Sequence, residues 1–172
     1  MLGNSITSKV HWNEFLNRND IINRGIGSDI AEGFLARMEY IYNSNPKICF
    51  IMGGINDIAM GIKQENTINS INLITSKLIE KDIEPIIFSI LYVAEKHSNH
   101  KLINRKVQST NIELKNLCKK KNIEFIDLNE HLSFNKALPS KYTTDNVHLT
   151  GFAYEKWGEI IKPIIERKLK KY

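Results

Sequence analysis

The sequence predicts an α/β protein: a three-layer α/β/α arrangement around a central, mostly parallel sheet. Three observations predict it. Short uninterrupted apolar runs recur along the chain, amphipathic segments of helical period separate them, and polar residues of unusual chemistry collect where the runs end. Apolar runs without polar alternation suit strands covered on both faces, the condition of a parallel sheet. Strand–helix alternation then joins such strands by right-handed crossovers.

The elements follow in order. Before the stretch GNSIT (3–7) stand only Met1 and Leu2, so the first strand reads as truncated. A central strand usually has about five residues, and the natural chain is therefore expected to extend upstream, with room for a preceding domain. Runs rich in Ile and Phe at 20–23, 47–53, 85–93 and 123–128 read as the remaining strands. Residues 29–42 read as a helix with Ile30, Phe34, Met38 and Ile41 inward, and 64–80 as another carrying Ile68, Ile71, Leu78 and Ile79. In 102–118, Ile103, Val107, Leu114 and Leu117 share a face. The last helix spans about 150–169 with Trp157, Ile161, Ile164 and Ile165 inward, and Pro163 should kink or split it. No internal repeat or long linker appears, and 172 residues suffice for one domain over 1–172.

Composition narrows the function classes. The formal net charge is +5, and its visible sources, the closing ERKLKKY and the KKK at 119–121, lie where helices end and cations suit the macrodipole. No aromatic–basic interleaving marks a nucleic-acid surface, so none is expected as a partner. Cys49 and Cys118 lie far apart in apolar surroundings and read as buried free thiols, without metal-ligand spacing. Neither a metal nor a cofactor is expected. No apolar run approaches the roughly 20 residues of a membrane span. The opening MLGNSITSKVHW lacks the apolar core of a signal peptide. The expected location is cytoplasmic, and a homo-oligomer stays open.

Four polar stretches carry the chemistry. In GNSIT, Gly3 permits a tight turn and Ser5 can be presented at a helix start, although Gly-Asn-Ser is also ordinary turn and N-cap vocabulary. It departs from the G-x-S-x-G elbow at Thr7. NRGIGSD (23–29) begins like a dinucleotide fingerprint, but Ile30 occupies the third glycine position and the acidic residue after the next strand is missing. It reads as a strand-to-helix turn with Asp29 at the helix start, or as a loop whose N–H groups face an anion. In GGIND (53–57), Asn56 either starts a turn or offers an amide donor to a developing oxyanion. In DNVHLT (145–150), Asp145 and His148 are three apart. They read as a cap with a surface histidine, or as the orienter and base of a triad. Of the other histidines, His97 and His100 fall in a polar loop, His131 lacks a following apolar frame, and His11 sits in the first amphipathic helix. A serine, a backbone-donor loop, an asparagine and an Asp/His pair in succession supply the parts of an acyl-transfer site.

In this order the four blocks GNSIT, NRGIGSD, GIND and DNVH resemble the SGNH, or GDSL-type, hydrolase superfamily over about 3–151. GNSIT, Trp12, Phe15 and NRGIGSD followed by an arginine resemble bacterial esterases related to platelet-activating-factor acetylhydrolase. That subgroup includes enzymes that remove acetyl groups from sugars, sialic acid among them. The resemblance implies a flavodoxin-like sheet and Ser5 as nucleophile, with His148 as general base oriented by Asp145. It also implies oxyanion donors from the Ser5 N–H and the Asn56 side chain. The third donor of the family falls on Ser28 here, where the family has glycine, with Gly27 one residue earlier. A positive φ at Ser28 would strain the hole or pass the role to Gly27. Asn4 replaces the aspartate of Gly-Asp-Ser, a structural position.

The expected function is therefore a serine esterase that removes a small acyl group, most simply acetyl, from a small-molecule or carbohydrate ester. The alternatives are a lysophospholipase or thioesterase of the same superfamily, a polysaccharide O-acetyltransferase, and a binding domain that keeps the fold without activity.

Overall fold

The structure is a computed structural model, and it describes residues 1–171. Five parallel strands form one sheet: β1 (Leu2–Gly3), β2 (Arg24–Gly25), β3 (Ile48–Met52), β4 (Glu84–Phe88) and β5 (Glu124–Ile126), in the order β2-β1-β3-β4-β5. Leu2 pairs with Arg24 on one side and Ile51 on the other, so even a two-residue β1 occupies a central place. The chain steps from β1 to β2 in one direction and then returns past β1 to β3. The reversal creates a crevice at the carboxyl ends of β1 and β3, where open α/β sheets bind ligands.

Helices cover both faces. They are α1 (Ser5–Ser8), α2 (Trp12–Leu16), α3 (Ala31–Ala36), α4 (Met38–Tyr42), α5 (Ile55–Ala59), α6 (Gln64–Ile79), α7 (His100–Lys121), α8 (Asn129–Leu132) and α9 (Gly151–Leu169). On one side α3 packs on α6 and α6 on α7, while α2 and α8 pack on α9. Trp12, Trp157 and Phe88 join the second layer to the sheet: the indoles meet edge-on at 4.9 Å between ring centres, and Trp157 meets Phe88 at 5.2 Å. All three are fully buried, as are Ile51, Ile86 and Ile87 of the central strands. Both cysteines are buried free thiols, and burial pushes Cys118 up to about 12.

Four details differ from the sequence reading. The second strand forms at Arg24–Gly25 rather than 20–23, because the Asn23 side chain there folds back on the carbonyls of Thr7, Ser8 and Val10. The helix expected over 29–42 breaks at Arg37, whose φ of −112° and ψ of 24° leave the helical region. The strand expected over 85–93 ends at Phe88. Beyond it, buried asparagines replace ladder partners: Asn111 and Asn129 bond the backbone of Ile90, and Asn104 exchanges two hydrogen bonds with Val93. Buried backbone groups need such partners, and an amide side chain supplies both donor and acceptor. Finally, α9 runs unbroken through Pro163, which removes one N–H but does not split the helix.

Candidate active site

The geometry begins at the end of β1. A Cβ on Gly3 would lie 2.7 Å from the Met52 carbonyl oxygen and 2.0 Å from Thr7 Oγ1, so the turn into α1 admits only glycine. Asn4 then caps the helix, its Oδ1 accepting the Ile6 N–H at 3.0 Å. Ser5 thus stands at the first helical position, beyond the carboxyl end of the sheet. The Asn4 amide thus serves as a helix cap, although its buried Nδ2 has no partner among the described residues.

The other half comes from the opposite end of the chain. Before α9, Asp145 folds its carboxylate over its own loop: Oδ1 accepts the N–H groups of Val147 (3.1 Å) and His148 (2.7 Å). Its Oδ2 lies 2.6 Å from His148 Nδ1, and His148 Nε2 lies 2.9 Å from Ser5 Oγ. With Nδ1–H donating to the carboxylate, Nε2 presents its lone pair to the serine hydroxyl. Tyr154 of α9, the helix that follows this loop, donates its hydroxyl proton to the Ile6 carbonyl at 2.6 Å and ties α9 to α1. Burial raises Asp145, but the two N–H groups, the imidazole hydrogen bond and its charge outweigh it and hold the carboxyl down to about 2.

Donor groups approach from two loops. Gly54 after β3 has φ +117°, a conformation that favours glycine, and it turns the chain into α5 with Asn56 in its first turn. Asn56 Nδ2 donates one hydrogen to the Asp29 carbonyl at 2.8 Å, which fixes the amide and leaves its second hydrogen for another acceptor. The N–H groups of Ser5, Gly27 and Ser28 donate to no protein acceptor among the described residues. Ser28 takes φ +61°, so the left-handed conformation falls on the serine, whereas Gly27 stays outside that region.

Two supporting groups, Arg37 and Asp57, were given no role by the motif reading, although the arginine after NRGIGSD formed part of the resemblance. Arg37 pairs with the Asp29 carboxylate at 2.8 Å and also donates to the carbonyls of Arg24 (2.8 Å) and Gly3 (3.1 Å). One guanidinium therefore ties the loop bearing Ser28 to the strand end that precedes Ser5. The signal was present: Arg37 lies three residues after Phe34 and four before Ile41, on the inward face. Asp57 is buried, accepts the Ala31 N–H and the Thr67 hydroxyl, and has its carboxyl raised by burial. Its place beside Asn56 gave no separate signal.

The remaining sequence candidates lie elsewhere. His11 stands at the N-cap position of α2, His100 Nδ1 lies 3.1 Å from the His97 carbonyl at the start of α7, and His131 lies within α8. No group of three or more His, Cys, Asp or Glu residues suited to a metal occurs among the described residues. A cavity of about 280 Å³ lies at the amino ends of the strands by Met1, Ile22, Arg24 and Ile48, and contains none of the site residues. No described helix is long and apolar enough to cross a membrane.

A hydroxyl, an imidazole and a carboxylate thus stand in line beside unused N–H donors at the switch point of a parallel sheet, a set chemically suited to acyl transfer. Residues 1–156 match the model of the GDSL-like lipase/acylhydrolase family. The chain belongs to that family, within the SGNH superfamily, which makes it a hydrolase and supports ester hydrolysis as its reaction. Among solved structures it is similar to a GDSL-like lipase from Bacteroides thetaiotaomicron, with 30% identity, a TM-score of 0.86, and 96% of this chain and 86% of that one covered. A candidate acylhydrolase from Bacteroides fragilis is similar at 29% identity and TM-score 0.86, covering 98% and 86%. The lipase/acylhydrolase from Enterococcus faecalis shares the fold at 17% identity and TM-score 0.84, covering 97% and 94%. No curated protein sequence matches.

Proposed function

We propose that the protein, as a single domain over 1–172, is a serine esterase that removes a small acyl group, acetyl in the first instance, from a carbohydrate ester such as an O-acetylated sialic acid. The observation that carries this reading is the continuous line from Asp145 through His148 to Ser5 Oγ. Ser5 attacks the ester carbonyl as its proton passes to His148 Nε2, and the imidazolium is held by Asp145. The oxyanion is received by the N–H groups of Ser5 and Ser28 and by Asn56 Nδ2, with Gly27 as the neighbouring donor. The C–O bond to the alcohol breaks as His148 returns the proton to the leaving oxygen. Water then attacks the acyl-enzyme, giving its proton to His148, and the acid leaves as Ser5 recovers its hydrogen. Buried donors aimed at a developing charge supply the largest share of such catalysis.

The small-acyl preference is supported by the resemblance of GNSIT and NRGIGSD to esterases that remove acetyl groups. The carbohydrate is supported by the block pattern of GNSIT and NRGIGSD. A longer acyl chain is the second reading, favoured by similarity to a protein described as a GDSL-like lipase. Hydrolysis of p-nitrophenyl acetate, butyrate and octanoate beside O-acetylated sugars separates them. The proposal expects a steep fall beyond propionate and turnover of the sugar acetates. Equal rates on octanoate would overturn it in favour of the lipase reading.

A further inference from the structure

A second basin lies beside the loop that carries Asp145. It has a volume of about 410 Å³ and is walled by the first turns of α7 (His100, Lys101, Asn104, Arg105) and by Lys136. Its link to the candidate site is short. The Ala94 N–H donates to the Asn146 carbonyl at 2.9 Å, and Val93 beside it is held by the basin residue Asn104. Lys136 is carried on a tight hairpin in which Phe134 and Ala137 exchange backbone hydrogen bonds, with Asn135 and Lys136 both left-handed at φ +50° and +59°. Such a two-residue turn fixes its direction. Asn104 also grips the Lys136 carbonyl at 2.9 Å and holds the hairpin onto α7.

The charges in this basin are poorly explained by folding. Lys101 and Arg105 are like charges four residues apart on one helix, an arrangement that repels. Lys101 sits in the first turn of a 22-residue helix that has no acidic residue there, where the macrodipole disfavours a cation. Among the described residues, none of Lys101, Arg105 and Lys136 forms a salt bridge, and Glu95 is the only carboxylate in the lining. Three cations thus line one concavity, and an anion there would be attracted to all of them.

We propose that this basin binds a compact anionic group, a carboxylate or phosphate, carried on the alcohol portion of the ester. The inference rests on the esterase reading of Ser5 and names its substrate class: acylated sugars bearing an acid group. Lys101 and Arg105 grip the anion from the helix, Lys136 closes on it from the hairpin, and the ester is left toward the Asp145–His148 loop.

Two measurements on the intact protein test it. In ¹H–¹⁵N NMR titrations, glucuronate and glucose 6-phosphate are each compared with glucose; the stronger of the two identifies the anion. The amides of Lys101, Arg105, Asn135 and Lys136 should shift with the anionic sugars and not with glucose, and Lys101→Gln/Arg105→Gln should weaken binding by about tenfold or more. Equal shifts from all three sugars, or shifts confined elsewhere, would overturn the proposal. In kinetics, kcat/KM for mono-O-acetyl glucuronate, or the acetylated 6-phosphate, should exceed that for mono-O-acetyl glucose by about tenfold, and the double variant should erase the preference. Hydrolysis of p-nitrophenyl acetate should be unchanged in that variant. Equal kcat/KM values in the wild type would also overturn the proposal. If the anionic sugars bind at the basin but no ester of any kind is hydrolysed, the esterase reading fails while the anion site stands.

Discussion

His148 Nε2 lies 2.9 Å from Ser5 Oγ although 143 residues separate them in the chain. The contact is assembled by the crossover topology, which brings the loop before α9 over the end of β1, and by the Tyr154–Ile6 hydrogen bond that fixes α9 on α1. The roles proposed for the surrounding residues lead to distinct outcomes.

Asn56→Ala should lower kcat on p-nitrophenyl acetate by about 10²–10³ with little change in KM, the usual effect of losing one oxyanion donor. A thermal melt should remain cooperative, because Asn56 is only half-buried and its side-chain hydrogen bond goes to the Asp29 carbonyl. A rate within a factor of about two of wild type would remove Asn56 from the hole.

Ser28→Gly should stabilise the protein. Relief of a left-handed non-glycine residue gains about 1–2 kcal/mol, and glycine's extra freedom in the unfolded chain gives back about 0.4–1 kcal/mol. The net of roughly 0.5–1 kcal/mol should raise Tm by about 1–4 °C for a chain of this size. Esterase activity should persist, since the backbone N–H is kept. A lower Tm would mean that the Ser28 side chain contributes something its φ of +61° does not reveal.

Arg37→Ala should destabilise by roughly 3 kcal/mol in urea unfolding, because it strands the Asp29 carboxylate in a partly closed site. The two side chains are only 12% and 13% exposed. Arg37→Lys should recover less than half of the loss, since an ammonium cannot reach Asp29, Arg24 and Gly3 with a rigid fork. Full recovery by lysine would reduce the role of Arg37 to charge alone.

Asp145 gives a pH prediction. Its folded pKa of about 2 lies below the ordinary carboxylate value, so its contribution to stability is complete above about pH 4 and is lost as pH falls toward 2. The side chain is half exposed, and solvent screening keeps the effect modest. Tm measured from pH 5 to pH 2 should therefore fall less steeply in Asp145→Asn than in wild type. Parallel curves would argue that the carboxylate is not held down by its loop.

The sequence was most informative where chemistry and order coincide. Ser5, Asn56, Asp145 and His148 announced themselves as polar residues at successive strand ends, and the structure brings Ser5 to the Asp145–His148 pair. It was least informative where polar side chains do the work of backbone. Asn104 and Asn111 are seven residues apart on the buried face of α7, yet an asparagine on an apolar face does not declare that it will bond residues 90–93 in place of a strand partner. The break at Arg37 was hidden similarly, because local periodicity continues through it while three distant acceptors draw the side chain away. Of the two outcomes expected at Pro163, a kink or a split, the split does not occur, and Trp157, Ile161 and Ile165 are buried along one face of an unbroken α9.

The most direct test is labelling with a serine-reactive fluorophosphonate, read by intact mass and peptide mapping. The account predicts a single adduct on Ser5, formed in step with loss of p-nitrophenyl acetate hydrolysis and absent from an inactive Ser5→Ala protein. An adduct on another residue, or full hydrolysis by Ser5→Ala, would contradict it.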